Sequence, residues 1–288
     1  MASLRGWLDQ RIIVEFAKYA AFASHALGDL VDLYATLNEP RIVSQHGYLT
    51  ERGEFPPGLN DPRHFMECMK NLSFAHGVAY DQVKRWDRAS MSEHGPATVG
   101  VVCVLQYYEP EDPGNELDVA ASKFVEYVYN EWWLNSILRG YYDLDLDGVI
   151  PPEERRPHLV RDCDFLGINY YSRWRVRHAD KGWGSGFDFE LAPCAEDCTD
   201  SGFEIYPEGL RYVLDWAYKS YKRVIYITEN GIADSRDLKR ERYLLSHLEH
   251  VHDAMELDGV PVRGYFHWTL MDNLEWADAR AVVSFVVL

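Results

Sequence analysis

Two glutamates stand where short apolar segments give out, and carboxylates in that position can do acid, base or nucleophilic work. Val224, Ile225, Tyr226 and Ile227 form a β-branched and aromatic run, followed by Thr228, Glu229 and the turn signal Asn230-Gly231. Glu229 therefore falls at the C-terminal rim of whatever sheet holds the strand. Leu33–Leu37 has the same design and leads into Asn38-Glu39-Pro40. Pro40 disfavours helical geometry at Glu39 and stops the strand. Read singly, each glutamate is as well explained as a solvated loop residue. Read together, two carboxylates on one rim are what hydrolysis of a glycosidic bond needs, one as nucleophile and the other as proton donor.

A second acidic stretch suggests different chemistry. Asp143, Asp145, Asp147 and Gly148, with Glu154 six residues further on, fit the spacing of a calcium-binding loop. Against this, Pro151 and Pro152 fall where the exiting helix should begin, and Pro151 offers no side-chain oxygen. A solvated acidic loop is the alternative. Cys194 and Cys198 are four apart, but two ligands do not make a zinc site, and they read as loop cysteines.

The elements that would position these groups alternate. A helix with Asp9 as its N-cap carries Ile13, Phe16, Ala17, Ala20 and Ala23 at helical spacing. The strand bearing Glu39 follows, then a long helix from about residue 62 to 88. Thr98–Gln106 is a near-continuous apolar strand, as a parallel sheet covered on both faces requires. Residues 115–139 read as helix, Asp164–Asn169 as strand and Pro207–Tyr221 as helix. The strand bearing Glu229 comes next, then a helix over 236–256 and a last strand, Val262–Trp268. Strands alternating with helices of this length predict right-handed βαβ units and a parallel sheet. Five strands fall short of the eight of a (β/α)8 barrel.

The motifs G-W-L-D (6–9), T-L-N-E-P (36–40), L-G-I-N-Y-Y (166–171), Y-P-E-G-L (206–210), T-E-N-G (228–231) and W-T-L-M-D-N-L-E-W (268–276) occur together and in order. In this the chain resembles family 1 glycoside hydrolases, the retaining β-glycosidases, most of all heat-adapted archaeal members. The resemblance runs from about Gly6 to Asp278 and implies an α/β fold, a single partial (β/α)8 barrel domain over 1–288. Its strands would correspond to the family's fourth through eighth, with the first three βα units before residue 1 and the last helix after residue 288. After Asp278 the sequence departs from the family pattern. By the same resemblance Glu229 attacks the anomeric carbon, while Glu39 protonates the leaving oxygen and later deprotonates water. The negative charge of Glu229 would raise the pKa of Glu39 so that it holds its proton. Asn38 corresponds to the residue that bonds the sugar 2-hydroxyl. Strand alternation sends Asn169 and Tyr171 to one face, and Tyr171 matches the tyrosine that bonds the nucleophile. Trp268 would stack on a pyranose ring, and Glu275 and Trp276 would bond the 4- and 6-hydroxyls. The family's glutamine from its first strand, its arginine beside the nucleophile and its His-Trp from its third strand have no counterpart here.

Composition narrows the partners. A net charge of −17 argues against nucleic acid and anionic membranes. With no run of eighteen apolar residues, no signal-peptide core and five cysteines without a framework spacing, the expected setting is a reducing cytoplasm. No cofactor is expected for catalysis, calcium being a possible structural ion. The expected partner is a small β-glycoside. Five strands without the first three units would leave Leu33 and Val101 facing no opposing wall and two sheet edges open, so self-association through those edges is expected. Two functions follow: an active retaining β-glycosidase on glucosides, galactosides or short β-linked oligosaccharides, or an impaired chain that binds sugar weakly or serves in assembly.

Overall fold

The structure, a computed structural model, describes residues 6–49, 55–87, 97–160, 163–180 and 187–271; Glu275 and Trp276 lie outside them. The five expected strands are present as β1 (Leu33–Asn38), β2 (Thr98–Val104), β4 (Phe165–Asn169), β7 (Val224–Gly231) and β8 (Val262–Trp268), in a mostly parallel sheet. Three further strands, β3 (Tyr107–Pro110), β5 (Arg173–His178) and β6 (Phe189–Leu191), form a sheet of their own. The helices are α1 (Arg11–Leu27), α2 (Pro40–Tyr48), α3 (Pro62–Trp86), α4 (Glu116–Glu126), α5 (Trp132–Arg139), α6 (Pro207–Tyr221) and α7 (Arg240–Glu256). The chain divides into two units, Met1–Cys103 with Glu131–Gly167, and Val104–Asn130 with Ile168–Leu288. No helix among the described residues is long and apolar enough to cross a membrane.

In the first unit β1 runs parallel to β2, with Leu33 opposite Thr98. Val99 and Val101 on β2 are fully buried, whereas Leu33 at the start of β1 is 42 % exposed. Val101 is therefore covered, contrary to the expectation, whereas Leu33 is exposed. Helix α1 starts one residue later than its expected cap allows. Gln10 holds the N-cap position without a side-chain bond, and the Asp9 carboxylate instead accepts from the Arg11 N–H at 3.0 Å. On α3, Pro62 opens the helix and Asp61 caps it by accepting from the Arg63 N–H at 2.8 Å. Its buried face carries Phe65, Cys68, Met69, Leu72, Ala75, Ala79 and Val83 at helical spacing.

The second unit holds what the sequence pattern does not announce. Strand β5 reads Arg-Trp-Arg-Val-Arg-His, too charged to look like a strand. It pairs parallel with β3 and antiparallel with β6. Its charges are matched across the sheet: Arg173 pairs with Glu109 at 3.0 Å and with Glu204, and Arg177 with Glu190 at 2.8 Å. The helix expected over 115–139 is interrupted by a π-helical turn, Tyr127–Glu131. The turn directs the Asn130 amide at the main chain beyond β2, where Nδ2 donates to Gln106 O at 2.8 Å and Oδ1 accepts from the Gln106 N–H at 3.2 Å.

Polar bonding ties the first unit's elements together at the N-terminal ends of its strands. Asp164, just before β4, accepts from the Val99 N–H at 2.7 Å, from Tyr80 Oη at 3.1 Å and from Lys84 Nζ. Lys84 also donates to Ala97 O at 2.7 Å. One carboxylate thus joins α3, β2 and β4. Asp164→Ala is expected to lower the unfolding free energy by about 2 kcal/mol, the scale of hydrogen bonds to a charged group. Urea unfolding checks this, and a change below about 0.5 kcal/mol, the range of ordinary surface substitutions, would remove the junction from the account.

Candidate active site

Glu39 is aimed by its backbone. The β1–β2 register shifts between Ala35 and Asn38, and the Glu39 N–H then donates to Val102 O at 2.9 Å. Such an irregularity turns a strand end and re-aims its side chains. Glu39 itself adopts the left-handed conformation, φ 50° and ψ 59°, directly before Pro40 opens α2. Right-handed helical geometry is disfavoured before a proline, so the chain leaves β1 and enters α2 through a strained residue. A non-glycine residue held there costs about 1–2 kcal/mol and persists only where its surroundings enforce it. Cys103, at the end of β2, registers the local charges. Burial chiefly pushes its thiol pKa up, Cys163 and the Glu39 carboxylate add to the rise, and Arg41 opposes it. Asn38 pairs with Val102 in the same strand end.

Glu229 is aimed by side chains and belongs to the second unit. Strand β7 alternates buried and half-buried through Ile227, then breaks step: Thr228 and Glu229 are both half-buried, and the register against β8 shifts between Ile227 and Asn230. Tyr171 Oη donates to Glu229 Oε2 at 2.6 Å, and the Tyr170 N–H donates to Glu229 O at 2.9 Å. A carboxylate accepting from a phenol is oriented, and its charged form is favoured by the bond. Tyr170 and Tyr171 point apart. Tyr170 is fully buried and donates its hydroxyl to Tyr206 O at 2.7 Å. Asn169, also buried, accepts from Thr228 Oγ1 at 2.6 Å.

Trp268 ends β8 opposite Gly231, and the Trp268–Thr269 peptide is cis. A Cβ at position 231 would lie 1.7 Å from Trp268 O. Only glycine lets the two strand ends approach so closely, which places Trp268 two residues across from Glu229 within the second unit. Three residues without an expected role complete this end. Asn230, fully buried, donates through Nδ2 to Tyr170 O at 2.7 Å and to Tyr243 Oη at 2.8 Å, and accepts through Oδ1 from Tyr265 Oη at 2.7 Å. Asn230 is visible in the sequence only as half of a turn signal. Tyr243 and Tyr265 carry no signal there at all, since a tyrosine in an amphipathic segment reads as packing.

The acidic loop lies in the first unit. Ligand atoms of Asp143, Asp145 and Asp147 all come within 4.8 Å of one another. The loop is also braced from within: Asp143 is buried and accepts from the Leu146 N–H at 2.7 Å and the Gly148 N–H at 2.8 Å. Glu154, the expected fourth ligand, accepts instead from the Leu144 N–H at 3.1 Å and stands outside the three gathered carboxylates. The exiting helix is only the short 3-10 turn Pro152–Glu154, as the two prolines require. Cys194 and Cys198, expected as loop thiols in a reducing setting, are joined in a disulfide with Cα atoms 5.9 Å apart, within the usual span. Cys68, Cys103 and Cys163 are buried and lie outside that disulfide.

Comparison with known proteins agrees with the motifs. The chain matches glycosyl hydrolase family 1 over residues 2–282. It is 35 % identical over 290 residues to a beta-galactosidase of Pyrococcus woesei, covering 94 % of this chain and 56 % of the relative. To a beta-galactosidase of Saccharolobus solfataricus it is 35 % identical over 279 residues, covering 94 % and 54 %. Among solved structures, a family 1 β-glucosidase from Thermotoga maritima superposes with a TM-score of 0.82 at 30 % identity, covering 94 % of this chain and 62 % of that one. A β-glycosidase from Pyrococcus horikoshii gives a TM-score of 0.78 at 34 % identity, covering 95 % and 59 %. The chain thus spans a little over half the length of these relatives.

Proposed function

The chain belongs to glycosyl hydrolase family 1, and from that premise we propose that it is a retaining β-glycosidase built on part of a (β/α)8 barrel. The observation that carries the proposal is the 2.6 Å bond from Tyr171 Oη to Glu229 Oε2. It holds a carboxylate at a strand end in one orientation, as attack on a fixed carbon requires. Glu229 attacks the anomeric carbon from one side. Glu39, as acid, gives its proton to the leaving oxygen as the bond to that oxygen breaks. The glycosyl-enzyme is then hydrolysed by a water from which Glu39 takes a proton. Asn38 bonds the sugar 2-hydroxyl, a contact that strengthens as positive charge builds on the ring. Asn169 contacts the sugar beside Glu229 and Trp268 stacks on the pyranose face. Glu275 and Trp276 bond its outer hydroxyls. Substrates are β-glucosides, β-galactosides or short β-linked oligosaccharides, with no cofactor in the chemistry.

Two lesser readings stand apart from the glutamates. The three gathered carboxylates, Asp143, Asp145 and Asp147, hold a structural calcium ion, oxygen ligands being what that ion takes. Self-association of the chain, through the β1 and β8 edges, is favoured by exposed apolar side chains on α1 and just before β1: Tyr19, Phe22 and Leu30 are 66 %, 72 % and 71 % exposed.

Each reading has a direct check. Hydrolysis of aryl β-glucosides and β-galactosides should be abolished in Glu229→Ala and partly restored by azide, which enters the vacated space as a nucleophile. Glu39→Ala should spare glycosylation by substrates with activated leaving groups, which need little protonation. Equal losses on activated and unactivated substrates would remove Glu39 as the acid, and a wild-type chain with no turnover would favour the impaired alternative. Millimolar calcium should raise the melting temperature, and chelator should reverse the gain. Identical melting in both would leave a loop braced by Asp143 alone. Light scattering across a dilution series should show a species larger than the monomer, and a compact monomer at every concentration would exclude self-association.

A further inference from the structure

Behind Glu229 lies a hydroxyl that touches more of the strand end than Tyr171 does. Tyr243, on α7, is fully buried. Its oxygen accepts from Asn230 Nδ2 at 2.8 Å, and the hydroxyl donates to Tyr171 O at 3.5 Å. Those partners flank Glu229. Asn230 directly follows it, and Tyr171 is the residue whose own hydroxyl bonds it. The Tyr243 ring is itself fixed, stacked on His247 with ring centroids 3.8 Å apart. His247 Nδ1 in turn lies 2.7 Å from Tyr243 O. Tyr265 completes the cluster from β8 through Asn230 Oδ1 at 2.7 Å.

We propose that Tyr243 is a positioning residue for the nucleophile. Its one hydroxyl holds the Asn230 amide and the main chain at Tyr171 in fixed relation, and so keeps Tyr171 Oη on Glu229 Oε2. The proposal rests on Glu229 being the nucleophile. Removing the hydroxyl leaves a buried amide hydrogen of Asn230 without that acceptor. The two strand ends must then shift, and a displacement near 1 Å at a reacting group is enough to slow chemistry by about a hundredfold. Burial pushes the Tyr243 hydroxyl well above its usual pKa, with Tyr265 adding to the rise, so it stays protonated throughout the working range.

The test is a double-mutant cycle read by covalent labelling of the full chain with 2,4-dinitrophenyl 2-deoxy-2-fluoro-β-glucoside and the corresponding galactoside. In that step a Glu229 oxygen bonds to the anomeric carbon. The bond from that carbon to the phenolic oxygen breaks, and dinitrophenolate departs with the electron pair. Tyr243→Phe is expected to slow the maximal labelling rate by about tenfold or more while changing the half-saturating reagent concentration by less than about threefold, a loss confined to the transition state. In a Tyr171→Phe background the same change should cost less than about threefold, because coupled residues are not additive. Tyr265→Phe, which acts through Asn230, should repeat the pattern and carries the cycle should Tyr243→Phe not fold. Equal losses in both backgrounds, or no loss in either, would overturn the positioning role while leaving the glycosidase reading intact. A wild-type chain that takes no label would instead overturn the glycosidase reading, and this inference with it.

Discussion

A carboxylate at the end of a buried strand is useful only if something fixes its direction, and here that is the bond from Tyr171 to Glu229. Everything else at that end can be read as support for it. The bond requires Tyr170 and Tyr171 to point apart after β4, Tyr170 into the core and Tyr171 toward Glu229. Burying the Tyr170 ring and satisfying its hydroxyl on Tyr206 O holds that arrangement. It also requires β7 to break alternation after Thr228, which buries Asn230. That side chain satisfies three groups from other elements, Tyr170 O, Tyr243 Oη and Tyr265 Oη, through its amide nitrogen and its carbonyl oxygen. Buried polar groups that are fully satisfied rigidify a site, whereas partly satisfied ones loosen it. Asn230 belongs to the first kind.

Glu39 reaches its orientation by another route. No tyrosine is needed to explain its direction, because the register shift in β1, the left-handed backbone at Glu39 and the proline after it set the path of the chain. Backbone strain of this kind is maintained by the packing of α2, whose Pro40, Arg41, Ser44, Gln45 and Tyr48 are buried. The two proposed catalytic groups therefore differ in what would disturb them. Loss of a hydroxyl near Glu229 changes its surroundings directly, whereas Glu39 depends on the seat of a helix.

Much of this was legible in the sequence, and the failures have physical causes. The five sheet strands are apolar runs ended by turn residues, and each appears within a few residues of where the pattern places it. Strand β5 escaped because its charged side chains contradict strand patterning. Only the ion pairs to Glu109, Glu204 and Glu190 make it acceptable, and partners so distant in sequence leave no local mark. Helix α2 leaves no separate signal, because Pro40 both ends a strand and is the first residue of a helix. The two glutamates stand out as strand-terminal acids, but their roles, like that of Tyr171, came from resemblance to a family. The π-helical turn and the cluster of Asn230, Tyr243 and Tyr265 were invisible, since tertiary hydrogen bonds have no periodicity. The disulfide between Cys194 and Cys198 was missed through an expectation about compartment rather than geometry.

The central claim is that Glu229 and Glu39 act as nucleophile and acid in a double displacement, which conserves configuration at the anomeric carbon. Proton NMR of the sugar first released from an aryl β-glycoside tests it most directly, before mutarotation equilibrates the product. The account predicts the β-anomer first, with the α-anomer appearing later by spontaneous conversion. An α-anomer as the initial product would contradict it.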